Sequence, residues 1–474
     1  MKKISIYNCL LLSVVLLLSN CKKFSDSITT DPNNPTKASG TQLIADAELT
    51  LPSLSSSPYG VHYPQYLSNT SFTDNSRYTT VNFNFYSFYT GPLNDLENVL
   101  QAQLDANQGP VANQIAVAKI LKAYFFWHMT DRWGPLPYSE ALKGSSNFTP
   151  KYDSQQAIYT AAFKLLDEAN AGIVTTNGTI KNDIVYNGDI TKWKKLGNTI
   201  HLLMALRLSK VDPTTGNTEF NKALSNGIMA ANSDNLAYPS AADPNNENYW
   251  YTSFTRLGRS WFALSKPLVD YMLPLNDPRL PVFGDKNSAG NYVGLEYGKA
   301  IPNSNDINNV SLLGSTLRQQ TSPVYLVTYA QALFAMAEAA KLGWIGGGDA
   351  TAKTNYDLAV QISIAQWTGS TTGASAYLAQ SQVQYNPATA IMQIAYQRWV
   401  HLFLHGYEGW AEWRRTGYPT LVAAPGANGD RIPRREGYPT QEQTNNTSNY
   451  QAAVASFPYG GADDLNARVW WDKQ

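Results

Sequence analysis

Cysteine occurs at positions 9 and 21 and nowhere beyond them. Whatever the rest of the chain folds into must therefore hold together without a disulfide. The same absence removes thiolate-held zinc and a cysteine nucleophile from the chemistry open to it. Roughly 450 residues follow Cys21, enough to bury a large core in one or two domains, so the fold has to rest on packing.

Cys21 ends a segment with the layout of a secretory signal. Lys2 and Lys3 precede an apolar stretch over 4–18, which is short of the ~20 residues that a spanning helix needs. Ser19-Asn20-Cys21 follows and reads as a lipobox, in which the thiol takes a diacylglycerol and the cysteine becomes the first mature residue. Asn20 departs from the small residue usual at that place; the alternative is an ordinary signal peptide cut elsewhere, with Cys21 incidental. The lipidated reading divides the chain into a signal peptide over 1–20, a lipidated Cys21 with a flexible Pro-containing tether over 21–37, and a single α-helical domain over 38–474. Several acyl chains on one residue anchor firmly, each buried CH₂ adding about 0.8 kcal/mol.

Charge bounds the partners. Lys plus Arg and Asp plus Glu number 36 each, so the chain lacks the basic excess that neutralises phosphates, and nucleic acid is not an expected ligand. Only 15 % of residues are charged, against about 25 % in an average soluble domain. Neutral Asn, Thr, Ser and Gln must then cover much of the surface. The 12 Trp, 29 Tyr and 16 Phe, together with the amides, suit sugar rings, although most such aromatics serve to fill a core.

Periodicity is helical wherever it is strong. Apolar residues share one helix face over 42–51, 93–104, 111–129, 154–171 (Asp153 as N-cap), 189–209, 220–231, 266–272, 324–342, 351–366, 387–404 and 446–456. Gly134, Pro135 and Pro137 end the 111–129 helix sharply. Residues 232–320 are rich in Asn, Pro, Gly and Tyr with weak periodicity, and read as irregular loops with short helices. Gly346-Gly347-Gly348 is followed by Asp349-Ala350 rather than Lys and Ser/Thr, so it is a helix connection, not a phosphate loop. Strand signals are sparse and no 34-residue repeat is evident. The expected class is mainly α, with antiparallel helix pairs.

Several segments, in order along the chain, resemble one family. They are Thr30-Asp31-Pro32-Asn33-Asn34-Pro35-Thr36; Thr130-Asp131-Arg132-Trp133-Gly134-Pro135-Leu136-Pro137-Tyr138; Asp277-Pro278-Arg279-Leu280; Ala337-Glu338-Ala339-Ala340; Gln397-Arg398-Trp399; Gly406-Tyr407-Glu408-Gly409-Trp410-Ala411-Glu412-Trp413-Arg414-Arg415; and a tail with Arg434, Glu442, Asn446 and Trp470-Trp471-Asp472. Together they resemble the SusD/RagB-like nutrient-binding lipoproteins. One departure is Gln331, where the family often has Glu, and a structural role is expected for it. The resemblance implies a fold of tetratricopeptide-like helix pairs packed on a more irregular half. It also implies a lipid-anchored, surface-exposed place on the outer membrane. The partner it implies is a SusC-like TonB-dependent β-barrel transporter, to which an oligosaccharide, or in some relatives a peptide, is delivered. No cofactor is implied.

Catalytic patterns are weak. His401 and His405 stand four apart, but Leu402-Phe403-Leu404 between them lacks the Glu of a His-Glu-x-x-His zinc site. No Gly-x-Ser-x-Gly elbow occurs. A carboxylate pair for glycoside hydrolysis is a matter of spatial, not sequential, spacing, so a surface-anchored glycan-degrading enzyme is the alternative function. No catalytic residue and no metal ligand is expected. Trp399, Trp410, Trp413 and Tyr418 around Arg414-Arg415, with Glu408 and Glu412, read as a structural knot, and Asp131 as a carboxylate that binds loop amides just past its helix.

Ligand contacts are expected in loops that alternate amides with aromatics. Two stretches fit. One holds Arg77, Tyr78, Asn84 and Tyr86; the other holds Tyr249, Trp250 and Tyr251.

Overall fold

The computed structural model describes residues 38–55, 58–301 and 304–473. Cys21 and the tether lie outside these residues.

Helices of eight residues or more are α1 (Gly40–Leu49), α2 (Asn94–Gln101), α3 (Val111–Trp133), α4 (Gln155–Gly172), α5 (Ile190–Arg207), α6 (Pro213–Ser225), α7 (Tyr329–Lys341), α8 (Gly348–Thr368), α9 (Ala390–His401), α10 (Gly406–Thr416) and α11 (Thr447–Ala455). α3 packs on α4, α5 on α6 and α7 on α8, giving three helical hairpins. Their ends follow local chemistry. Ser39, Ser154, Asp189, Asp212 and Thr328 each accept an amide of the first turn, and Pro213 opens α6 where its missing N–H costs nothing. Ser154, not Asp153, caps α4; Asp153 instead accepts the Tyr138 and Ser139 amides across the small β2–β3 ladder (Leu136–Pro137 with Tyr152–Asp153).

The helix expected over 324–342 is two elements. Val324–Val327 forms a strand paired antiparallel with Leu236–Tyr238, and α7 starts only after Thr328. Gln331 explains the break: its Oε1 accepts the Thr328 amide at 2.7 Å while the Thr328 hydroxyl accepts the Gln331 amide, a capping box that closes the helix start. The departure from Glu at this place is thus structural, as expected. The helix expected over 220–231 starts earlier, at the Asp212 cap, and ends at Ser225.

α3 is buried nearly all round and runs through the centre of the helical half. At its end, and at the ends of its neighbours, side chains converge on a buried ionic knot. Arg207 (α5) meets Asp131 (α3) at 3.3 Å, Glu408 at 2.6 Å and Glu412 at 2.5 Å (both α10). Arg415 pairs with Glu338 (α7) at 2.6 Å and Glu412 at 2.7 Å, and Arg398 (α9) joins Glu338 at 3.0 Å and Glu412. Burial alone would push the Glu412 carboxyl up, but Arg415, Arg398 and Arg207 hold it well below the usual range. Asp131 belongs to the last turn of α3 rather than the loop after it. It serves side chains, not loop amides: it accepts Tyr159 Oη and Trp471 Nε1, both at 2.6 Å.

The irregular half has its own apolar cluster, including Tyr66, Trp250, Phe262, Phe283, Trp399 and Phe403. No helix among the described residues is long and apolar enough to cross a membrane.

Two outcomes are expected in unfolding measurements. Arg207→Met strips three carboxylates of one shared cation and should lower the unfolding free energy by about 3–5 kcal/mol. Burial also holds His62 down to about 4 and His401 and His405 down to about 3. Their folded values lie below the unfolded 6.5, so the unfolded chain takes up the extra protons as pH falls below about 6.5. Stability should be greatest near neutrality and fall by several kcal/mol, on the order of 1–3 for each such group, between pH 7 and pH 4. A flat profile in denaturant titrations over that window would contradict these burial assignments.

Candidate functional site

Strand β1 (Leu67–Asn69) pairs antiparallel with β5 (Phe262–Leu264), Asn69 opposite Phe262. β5 is pinned on its other side, where Leu264 N donates to Ser311 O and Leu313 N to Phe262 O. The loops leaving this ladder are therefore held at their roots. Thr70 N donates to Trp261 O at 2.8 Å, the Thr70 hydroxyl donates to Ser260 O at 3.0 Å, and Ile301 N donates to Thr70 O at 2.8 Å. The Asn69 carboxamide oxygen accepts the Ser71 and Phe72 amides at 3.0 and 2.8 Å, which turns the chain outward.

That turn presents Phe72, whose side chain remains 55 % exposed. Its ring meets the half-buried Trp261 edge-on, with centroids 4.7 Å apart, and the Arg259 guanidinium lies 4.7 Å from the Trp261 ring centroid. Beside them Thr70, Ser71, Gly258, Ser260, Ile301 and Ile307 line an open hollow of about 390 Å³. The hollow thus sets an apolar ring beside the hydroxyls of Thr70, Ser71 and Ser260.

The predicted ligand residues divide. Tyr78 is 5 % exposed, between Tyr63 and Tyr297, and Trp250 is 1 % exposed, edge-on to Tyr249 and Phe262. Both side chains pack in the core, Trp250 beside a small hollow that it lines with Asn248, Tyr325 and Trp367. Arg77 spends its guanidinium on loop carbonyls, donating to Pro425 O at 2.9 Å. Asn84 and Tyr249 do come together, from the two separate stretches, in a groove of about 400 Å³ with Ser87, Arg132 and Tyr407. Arg132 there is committed to Glu436 at 2.7 Å, with its guanidinium between the Trp133 and Tyr407 rings. Tyr251 is half-buried and lines none of these hollows. The loop before it is tied by Glu247, which accepts from Arg256, Thr252 and Gln320; the Arg256 bonds hold its carboxyl down to about 2. Tyr86 lines a third, larger cleft of about 580 Å³ with Tyr89, Phe148 and Glu442.

The sequence pattern did not single out the exposed Phe72–Trp261 pair, because a single aromatic in a loop carries no period. The available signal at Phe72 was an aromatic flanked by small polar residues, Ser71-Phe72-Thr73; Trp261 runs straight into the apolar Phe262-Ala263-Leu264 and carried none.

His401 and His405 do not share a site: the His401 ring nitrogens face Thr328 Oγ1 at 2.7 Å and Ser363 Oγ at 3.0 Å, and His405 stacks on His128. Asp167, His201 and Glu219 do gather, and the Lys222 ammonium joins them, 2.8 Å from Asp167 and 3.0 Å from Glu219, so both carboxylates already share a cation.

Truncation separates core from surface. Trp250→Ala should cost about 3–5 kcal/mol of unfolding free energy, whereas Phe72→Ala should stay within about 0.5 kcal/mol of the parent. Similar losses for both in a chemical denaturation experiment would contradict the assignment.

A family model described as SusD-like, starch-binding and associating with the outer membrane, matches residues 32–439. Among solved structures, a chitin-binding protein is 28 % identical, with a TM-score of 0.78 over 92 % of this chain and 100 % of that one. A chitin-binding SusD homolog from Flavobacterium johnsoniae is 25 % identical, with a TM-score of 0.77 over 92 % and 98 %. A SusD homolog from Bacteroides fragilis shares the fold at 24 % identity, with a TM-score of 0.78 over 92 % and 100 %. No curated protein matches.

Proposed function

The chain belongs to the SusD-like family of starch-binding proteins that associate with the outer membrane, and from that premise we propose that it is a non-catalytic glycan-capture lipoprotein. It is anchored through Cys21 on the cell surface and passes an oligosaccharide to a SusC-like TonB-dependent transporter. The observation that carries the reading is the Phe72–Trp261 pair. An aromatic ring left 55 % exposed, braced edge-on by a second ring and rooted in a strand ladder, is a preformed stacking surface. A rigid loop pays little ordering entropy on binding, so a shallow site can still hold a sugar chain. The relatives named as chitin-binding make β-1,4-linked N-acetylglucosamine oligomers the first ligand to try.

The neutral charge balance fits a neutral ligand. Arg259 contributes by packing its guanidinium against the Trp261 ring.

Calorimetric titration with a soluble chitin oligomer tests the reading. Phe72→Ala and Trp261→Ala should each weaken binding by roughly five- to tenfold, equivalent to about 1–1.4 kcal/mol. Unchanged affinity in both variants would overturn the site, and hydrolysis of the oligomer by purified protein would overturn the binder and favour the glycan-degrading alternative.

A further inference from the structure

The third cleft differs in chemistry from the platform. Its floor is Glu442, 6 % exposed, whose carboxylate accepts Tyr86 Oη at 2.5 Å on Oε1, and Tyr152 Oη at 2.6 Å and Asn446 Nδ2 at 3.3 Å on Oε2. Among the described residues no cation lies within ion-pair distance of it. The buried acids Glu338, Glu408, Glu412 and Glu436 are paired with arginines and Asp234 with Lys195, whereas Glu442, like Glu48 and Asp183, is held by uncharged donors, here two hydroxyls and an amide. A buried carboxylate without a counter-charge is costly, and the cost is relieved when a cation arrives.

The walls suit such a cation. The Phe85, Tyr86 and Tyr89 rings interlock edge-on, Phe85 lying 5.3 Å from Tyr86 and 5.6 Å from Tyr89, and Tyr89 is fixed by donating to Pro137 O. Across the opening Phe148 is 81 % exposed, on a loop in which Leu142 holds a left-handed φ of +61°, a conformation rare outside glycine. Asn94, Asn147 and Asn445 add amides around the rim, and exposed Lys143 is the other charged lining residue. Burial first, then the hydrogen bond and charge of Glu442, push the Tyr86 hydroxyl up, so it stays a donor to that side chain. A volume of about 580 Å³ admits a sugar ring or two.

We propose that this cleft is a second ligand site, selective for a sugar that carries a protonated primary amine, with the ammonium on Glu442, the ring between Tyr86 and Phe148, and the hydroxyls on the rim amides. The aromatic walls strengthen the attraction for the cation beyond what the carboxylate supplies. The inference shares with the proposed function only the premise that the ligand is a sugar; it does not need the Phe72–Trp261 platform.

The test uses purified Phe72→Ala/Trp261→Ala protein, in which the platform is silenced, titrated near pH 6 with a β-1,4-linked glucosamine oligomer, its fully N-acetylated counterpart and an oligolysine peptide. The glucosamine oligomer should bind at least about tenfold more tightly than the N-acetylated one, and the binding should weaken as salt is raised. Glu442→Gln should abolish that preference. Because Glu442 is buried, Phe148→Ala provides the control on an exposed ring: it should weaken glucosamine binding about fivefold without changing the melting temperature. Equal affinity for the amine and N-acetyl forms, indifference to both cleft variants, or a preference for oligolysine over the amino sugar would each overturn the proposal. Loss of the platform with this cleft intact, or the reverse, distinguishes failure of one reading from failure of the other.

Discussion

The buried ion network around Arg207, Glu412 and Arg415 is the constraint on which the rest of the structure depends. It draws one or more charged residues from each of α3, α5, α7, α9 and α10, so the three helical hairpins are joined at one point as well as packed together. Burying so many charges is unfavourable unless each has an opposite charge beside it, and a set that shares its charges this way tolerates few alternative arrangements. Arg414, one residue along, donates instead to the Asp131 and Arg434 carbonyls at 2.8 and 2.9 Å while stacking 3.6 Å from the Trp410 ring centroid. The carboxyl-terminal segment is thereby fastened to the same point, as Trp471 on Asp131 also shows.

A rigid helical half frees the other half to be irregular. The β1–β5 ladder and the cluster around Trp250 and Phe283 hold its loops without long elements, and the exposed aromatic surface emerges where that ladder ends. Capture on loops fixed at their roots follows from this division: the scaffold supplies stiffness, and the loop tips supply contacts that can vary without disturbing the core. Glu442 sits at the seam of the two ideas, since it comes from the tail but closes a cleft whose walls come from 85–94 and 137–150.

What was legible in the sequence was whatever repeats along a helix. The stripes of α3, α5 and α9 and the seven-residue helix Lys266–Met272 are local facts, and each appears within a few residues of its expected place. The Glu408–Arg415 motif read correctly as structural because paired opposite charges among tryptophans have few other uses. The strand at Val324–Val327 was hidden because its apolar run continues without a breaker into α7, and only the Thr328–Gln331 cap separates them. The ligand residues were the hardest. Tyr78 and Trp250 look like their neighbours Tyr86 and Tyr249 in sequence, yet tertiary packing buries one of each pair and leaves the other on a cleft. Burial of a loop aromatic is decided by tertiary partners, such as Phe262 for Trp250 and Tyr297 for Tyr78, and no local pattern records it.

The central claim is that a sugar chain is held against the outward rings of Phe72 and Trp261 on a preformed surface. A crystal structure of the protein with a soluble chitin oligomer tests it most directly. The account predicts a sugar ring stacked on this pair, its hydroxyls on Ser71 or Ser260, with the β1–β5 ladder unmoved. A sugar bound elsewhere with the Phe72–Trp261 surface bare, or one bound only after the ladder rearranges, would contradict it.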